Sequence, residues 1–167
     1  MLTRKLRVEA QECGIRLPNI AHKINHLFFA DDLILFGRSN DELRKLVRLT
    51  TEWATQYKLE INENKTETIA LNTSRNPQIR INGVTIQNSN PTYLGFTLDK
   101  RLRGTEHMKQ RVRKGKQSLY ATLATLKRTP HLKITIKAII IRACILSVLG
   151  YGTEGSYIPK ACRKQVE

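Results

Sequence analysis

Acidic residues are nearly missing from the C-terminal part of this sequence: between Lys100 and Arg142, thirteen Lys and Arg stand against the single acid Glu106. Cysteine is scarce as well. Cys13, Cys144 and Cys162 are an odd number with no C-x-x-C spacing, which argues against a disulfide framework or a zinc ribbon and for a reducing compartment. Cys13 with His22 and His26 would lack a fourth metal ligand. Long apolar runs are also missing, for the longest, Ala138 to Leu149, is broken by Arg142 and reaches only about half the ~20 residues a membrane span requires. Arg4, Lys5, Arg7 and Glu9 leave no room for the apolar region of a signal peptide. The expectation is an intracellular protein, nuclear or cytoplasmic, neither secreted nor membrane-bound.

What is present is charge and enough apolar residue for a core. The 167 residues carry a formal charge of +15, with 40% hydrophobic and 26% charged residues, the balance of a globular chain. The length suits one domain, or one compact piece with a helical appendage. A positive field concentrated in the C-terminal part fits a polyanion, of which nucleic acid is the commonest large one in cells. A solvated basic face and an anionic membrane surface are the weaker alternatives.

The most informative stretch is Phe28-Phe29-Ala30-Asp31-Asp32-Leu33-Ile34-Leu35-Phe36-Gly37. Two short runs of aromatic and branched residues predict buried strands, so the polar pair between them falls at the tip of a β-hairpin. Adjacent carboxylates repel unless a cation or hydrogen-bond donors compensate them. A hard ion such as Mg²⁺ takes one or two carboxylates plus substrate phosphates, the ligand set of a polymerase site. Read alone, the ten residues favour ordinary turn residues over a metal site.

Along the chain, Leu2, Leu6 and Ala10 predict a short helix stopped at Gly14. Ile15 to Leu17 reads as a brief strand, and Lys23 to Phe29 leads into the hairpin. Ser39-Asn40-Asp41-Glu42 is a capping box for a helix whose Leu43, Leu46, Val47, Thr50, Trp53, Ala54 and Tyr57 form the core face. Asn62 to Lys65 is a polar turn, and Thr66 to Leu71 a strand. Ile79 to Ile86 alternates on both sides of Asn82-Gly83, a hairpin signal. Pro91 to Leu98 reads as a strand whose Gly95 allows close approach of another backbone. From Thr105 the period becomes helical: Met108, Val112, Leu119, Leu123 and Leu126 form a stripe, with Lys109, Arg113 and Lys116 beside it and Arg111 and Lys114 flanking. After Thr129-Pro130, Leu132 to Leu149 is apolar nearly all round and predicts a buried helix. Gly150 to Glu167 reads as a Gly- and Tyr-containing tail.

In this order and at these spacings, the motifs resemble a reverse transcriptase of the non-LTR (LINE-like, jockey-type) retrotransposon family. The resemblance covers the C-terminal half of its palm and the start of its thumb. Phe29-Ala30-Asp31-Asp32 is similar to the acidic hairpin of these polymerases. Leu59-Glu60-Ile61-Asn62-Glu63-Asn64-Lys65-Thr66 resembles the motif whose lysine protonates departing pyrophosphate. Tyr93-Leu94-Gly95-Phe96-Thr97-Leu98-Asp99 resembles the primer grip, and Leu149-Gly150-Tyr151-Gly152 is similar to the thumb-side L-x-Y-G element.

The resemblance implies an α+β fold: a partial polymerase palm, an antiparallel sheet with a packed helix including the primer-grip hairpin, over residues 1–103. A truncated α-helical thumb follows over 104–167. It implies template-directed dNTP addition to a primer 3′ end, with an RNA template and a DNA primer as partners and two Mg²⁺ ions, or Mn²⁺, as cofactors. Asp31 would be the shared metal ligand, Asp32 a more peripheral one, and Lys65 the general acid. Tyr93, Leu94 and Gly95 would place the primer end. Lys109, Arg111, Arg113, Lys114 and Lys116 would contact phosphates without reading sequence.

The family's upstream metal-binding Asp motif, its fingers and its endonuclease find no counterpart in the sequence. The chain alone is therefore expected not to polymerise, with the missing parts on an upstream or separate polypeptide. The alternative is a non-catalytic nucleic-acid-binding remnant acting through the basic thumb.

Overall fold

The computed structural model describes residues 1–73 and 75–153. Most of the tail beyond Gly150 lies outside them. The chain forms two compact units, Met1–Leu94 and Gly95–Glu167, and the fold class is α+β: a region of short strands and packed helix, followed by a pair of packed helices.

In the first unit, α1 (Leu2–Glu9) and α2 (Asn40–Gln56) bring Leu2, Leu6, Ala10 and Cys13 against Leu46 and Leu49. The four-residue spacing of Leu2, Leu6 and Ala10 puts all three on one side of α1. Leu33, Leu35 and Trp53 pack on this cluster from its edge. The other flank of α2 offers Leu43 and Val47, with Ile61, to a second cluster of Ile79, Ile81 and Ile86. One helix thus serves two small cores.

Both ends of α2 obey local chemistry. Ser39 caps it, its Oγ accepting the Glu42 N–H at 3.2 Å. In a standard capping box the acid would turn back to the cap residue's own N–H. Here the Glu42 carboxylate accepts from the N–H of Arg38 at 2.9 Å and of Gly14 at 3.1 Å, tying the start of α2 to the segment after α1. Buried Asn25 makes the complementary tie, its Nδ2 donating to the carbonyls of Leu6 (3.0 Å) and Ala10 (2.8 Å) just ahead of β1 (His26–Phe29).

Strand β1 pairs antiparallel with β2 (Asp32–Leu35), with His26 opposite Leu35 and Phe29 opposite Asp32. The remaining strands of the unit are two residues long: β3 (Glu67–Thr68), β4 (Arg80–Ile81), β5 (Val84–Thr85), β6 (Gln87–Asn88) and β7 (Thr92–Tyr93). β4 and β5 form the expected hairpin around Asn82 and Gly83, both at positive φ as a type I′ turn demands. The expected antiparallel sheet is not continuous. β1–β2, β4–β5 and β3–β6 are separate two-stranded ladders, and β3 with β6 is parallel. Ile15 to Leu17 contributes a single bridge, Ile15 to Ile24.

A second correction concerns the central hairpin, whose first strand is not buried. Phe28 and Phe29 are 46% and 61% exposed and Leu27 is exposed too. Leu27 and Phe29 lie on the face of the ribbon away from Leu33 and Leu35, which the α1–α2 core leaves uncovered, whereas Phe28, paired with Leu33, shares the core-facing side and is still half exposed.

The second unit opens with β8 (Phe96–Thr97), so the stretch expected as one strand is interrupted at Leu94 and Gly95, both at positive φ. α3 (Thr105–Lys127) follows, then α4 (Ile134–Gly150), which packs along it. Asp99 organises the start of α3: its carboxylate accepts the N–H groups of Arg101, Arg103 and Thr105, each at 3.1 Å. Gly104, at the cap position, has no side chain for the task.

α4 is the third correction: none of its residues is fully buried, and Ile134 is 79% exposed. An apolar helix is buried all round only when neighbours surround it, and among the described residues of its unit α4 has one long neighbour, α3.

Candidate functional site

Asp31 and Asp32 occupy the tip of the β1–β2 hairpin, as their setting between two apolar runs predicts. The register leaves Ala30 and Asp31 as a two-residue loop, with Asp32 the first residue of β2. Ala30 has φ +52°, a conformation an L side chain adopts at a cost of about 1–2 kcal/mol. A positive φ at the first loop position belongs to the tight turns that join twisted strands, where glycine is the usual occupant. The strain holds Asp31 at the apex. Asp32, opposite Phe29, projects on the face that the core leaves uncovered.

Both carboxylates are exposed. Among the described residues, no group of three or more His, Cys, Asp or Glu side chains is placed to hold a metal ion. Two carboxylates suit one hard cation that also binds substrate phosphates, and they fall short of the donor set for a pair of ions.

Lys65 lies in the turn that follows α2. Its N–H donates to the backbone carbonyl (3.2 Å) and side-chain Oδ1 (3.1 Å) of Asn62, an Asx-type turn, and its side chain is exposed. No hydrogen bond or ion pair joins it to Asp31 or Asp32. Tyr93 is the second residue of β7, and Leu94 and Gly95, both at positive φ, form the tight turn after it.

The basic residues of α3 divide by helical position. At 100° per residue, Lys109, Arg113 and Lys116 fall within about 60° of one another, on a face about 100° round from the buried Met108, Val112 and Gly115. The same row continues through Tyr120, 70% exposed, and Lys127. Sequence reading stopped at Lys116; the three-four spacing of Tyr120 and Lys127 was the signal that could have extended it. From Lys109 to Lys127 the row is about 27 Å long at 1.5 Å per residue. Lys109 bonds Glu106, the one acid within α3, at 2.7 Å. Lys114, also exposed, lies about 140° round from Lys109 and does not share the face.

Arg111 is differently placed. Its Nη2 donates to the Gly95 carbonyl at 2.8 Å, and its guanidinium carbon sits 4.5 Å from the centre of the Tyr151 ring. His107, fully buried, stacks on Phe96 with centroids 4.3 Å apart. Asp99 and Glu42, neither on the row, are among the carboxylates whose acidity is set by their surroundings. Burial pushes Asp99 up, but the N–H groups of Arg103, Arg101, Thr105 and Gly104 outweigh it and hold the group below its usual range. Glu42 is lowered in the same way: burial opposes, and the N–H groups of Arg38 and Gly14 with the charges of Lys23 and Arg38 prevail.

No helix among the described residues is long and apolar enough to cross a membrane. No curated protein and no solved structure matches the chain. Residues 4–98, more than half of its length and including the acidic hairpin, Lys65 and Tyr93 to Gly95, match the family model of the reverse transcriptases. The chain therefore belongs to the reverse transcriptase (RNA-dependent DNA polymerase) family.

Proposed function

We propose that this chain is the palm and thumb portion of a non-LTR retrotransposon reverse transcriptase, which engages an RNA template paired with a DNA primer. The observation that carries the reading is the family match over residues 4–98, which includes the hairpin with Asp31 in its two-residue loop. Asp31 and Asp32 are the polymerase's metal-side carboxylates. Mg²⁺, when bound there, supplies charge stabilisation for the attacking 3′ oxygen and the leaving phosphate. Lys65, on an exposed turn, is the proton donor to the leaving pyrophosphate. Tyr93, Leu94 and Gly95 position the primer end. Lys109, Arg113, Lys116 and Lys127 follow the phosphate backbone, with Lys114 a further contact from the side and Tyr120 a flat surface for a sugar or base.

Two carboxylates make an incomplete two-ion set, so the chain alone binds the hybrid without extending the primer. The test pairs two assays on the full chain: binding of a labelled RNA/DNA hybrid across a salt series, and primer extension with Mg²⁺ and dNTPs. Salt-sensitive binding without extension is the expected result. Extension that is lost in Asp31→Asn would show the metal site to be complete, and binding that ignores salt would remove the basic row from the interface.

The non-catalytic reading, binding through α3 alone, is favoured by the exposed and unsupplemented carboxylates. It predicts that Asp31→Asn leaves hybrid binding and its salt dependence unchanged.

A further inference from the structure

Arg111 and His107 stand one helical turn apart on α3 and so face the same way. Between them they hold the two ends of the second unit's described chain. Arg111 Nη2 donates to the Gly95 carbonyl at 2.8 Å while its flat face lies on the Tyr151 ring, 4.5 Å from its centre. His107 accepts the Thr97 N–H at Nδ1 (3.3 Å), which leaves its proton on Nε2, and Nε2 donates to the Tyr151 carbonyl at 2.9 Å. The ring also stacks on Phe96, and the Thr97 hydroxyl donates to Gln110 Oε1 at 3.0 Å.

The two glycines in this cluster have no room for a side chain. Gly95 has φ +77°, and a Cβ there would stand 3.2 Å from the Tyr151 ring. Gly152 has φ +71°, and a Cβ there would stand 2.9 Å from His107 Nε2 and 3.1 Å from the Phe96 ring. The packing around both glycines is tight.

We propose that Arg111, His107 and Tyr151 form an internal clasp that locks Gly95, Phe96 and Thr97 to the end of α4, and that they are positioning residues for the primer-grip turn. This inference rests on the polymerase reading for its ligand. It gives Arg111 a role different from that of Lys109, Arg113 and Lys116. A guanidinium whose face is covered by an aromatic ring and whose edge is held by a backbone carbonyl is spent on geometry, and lysine cannot replace it, because an ammonium neither stacks nor forks. The L-x-Y-G segment is then the seat on which the primer-grip turn is held.

The test uses the full chain and two readouts: amide hydrogen exchange of the Gly95 to Thr97 segment in the free protein, and affinity for a fluorescein-labelled RNA/DNA hybrid over a salt series. Tyr151→Leu, which changes no charge, is expected to speed exchange in that segment and to weaken hybrid binding about threefold to tenfold, with the salt slope unchanged. Arg111→Lys should do the same, and the double variant should be no worse than either single one, since both remove one shared contact. Tyr151→Phe, which keeps the ring, should restore both readouts.

If Arg111→Lys binds like the wild type while Arg111→Ala lowers the slope by about 0.9, Arg111 is a phosphate contact and the clasp is overturned. Unchanged exchange in Tyr151→Leu overturns it as well. A wild-type chain that shows no salt-dependent binding refutes the polymerase reading and the positioning role with it. The exchange measurement, made without nucleic acid, separates that failure from failure of the clasp.

Discussion

Replacing Lys109, Arg113 and Lys116 together with alanine removes three neighbouring charges from one exposed face of α3. Each phosphate contact contributes about −0.9 to the slope of log K against log salt on a duplex, so three contribute about −2.7. Between 50 and 200 mM salt, a slope of that size corresponds to about a 40-fold loss of affinity. The triple variant should lose that 40-fold sensitivity and retain only the part due to Lys127 and Lys114. Folding should survive, because exposed charges contribute at most about 1 kcal/mol each and the Lys109–Glu106 pair is on the surface. The assay is fluorescence anisotropy with the RNA/DNA hybrid at four salt concentrations, with circular dichroism as the folding control. A triple variant whose slope equals that of the wild type refutes the assignment of this face to phosphate.

Asn25→Ala removes two hydrogen bonds to buried carbonyls at the end of α1 and should destabilise the first unit by about 1–3 kcal/mol in urea titration; a change below about 0.5 kcal/mol would show that the tie is idle. Ala30→Gly relieves the left-handed strain at the hairpin apex, and after the entropy cost of glycine a net gain of up to about 1 kcal/mol is expected. A loss in thermal melts would contradict the strain. For Glu42, held below its ordinary value of 4.5, the stabilisation is fully present above that value and lost as pH falls through the lowered folded one. Glu42→Gln should therefore be less stable than the wild type at neutral pH, with the gap closing in acid; a gap that stays constant with pH would exclude ionisation as its source.

The parts of this fold legible in the sequence are those that short-range chemistry decides. Asn82-Gly83 specifies a type I′ turn wherever it is placed, Ser39 caps the helix it precedes, and the apolar runs on either side of Asp31 and Asp32 force those residues to a tip. Readings that depend on what covers a face failed. The short apolar run through Phe28 and Phe29 predicts a buried strand, yet composition alone cannot tell whether a second layer covers it. The same limit explains α4, whose composition asks for neighbours on every side and finds one. Arg111 looks like its neighbours in sequence; only its angular position beside the buried stripe, and the Tyr151 ring brought to it by α4, distinguish it. Glu42 was legible as a capping residue, but its reach to Gly14 depends on a contact 28 residues away.

Trp53 is the single tryptophan of the chain, packed at the edge of the α1–α2 core, 4.9 Å from the ring of Tyr57. Its emission therefore reports on its surroundings in the first unit, whereas the far-ultraviolet dichroism is weighted towards the second, whose α3 and α4 are 23 and 17 residues long against 8 and 17 for α1 and α2. Two inexpensive optical signals thus weight the two units of one polypeptide differently. If they melt together, the halves share a single cooperative transition; if the midpoints separate, each half folds on its own terms, and one unfolding free energy for the whole chain has no meaning.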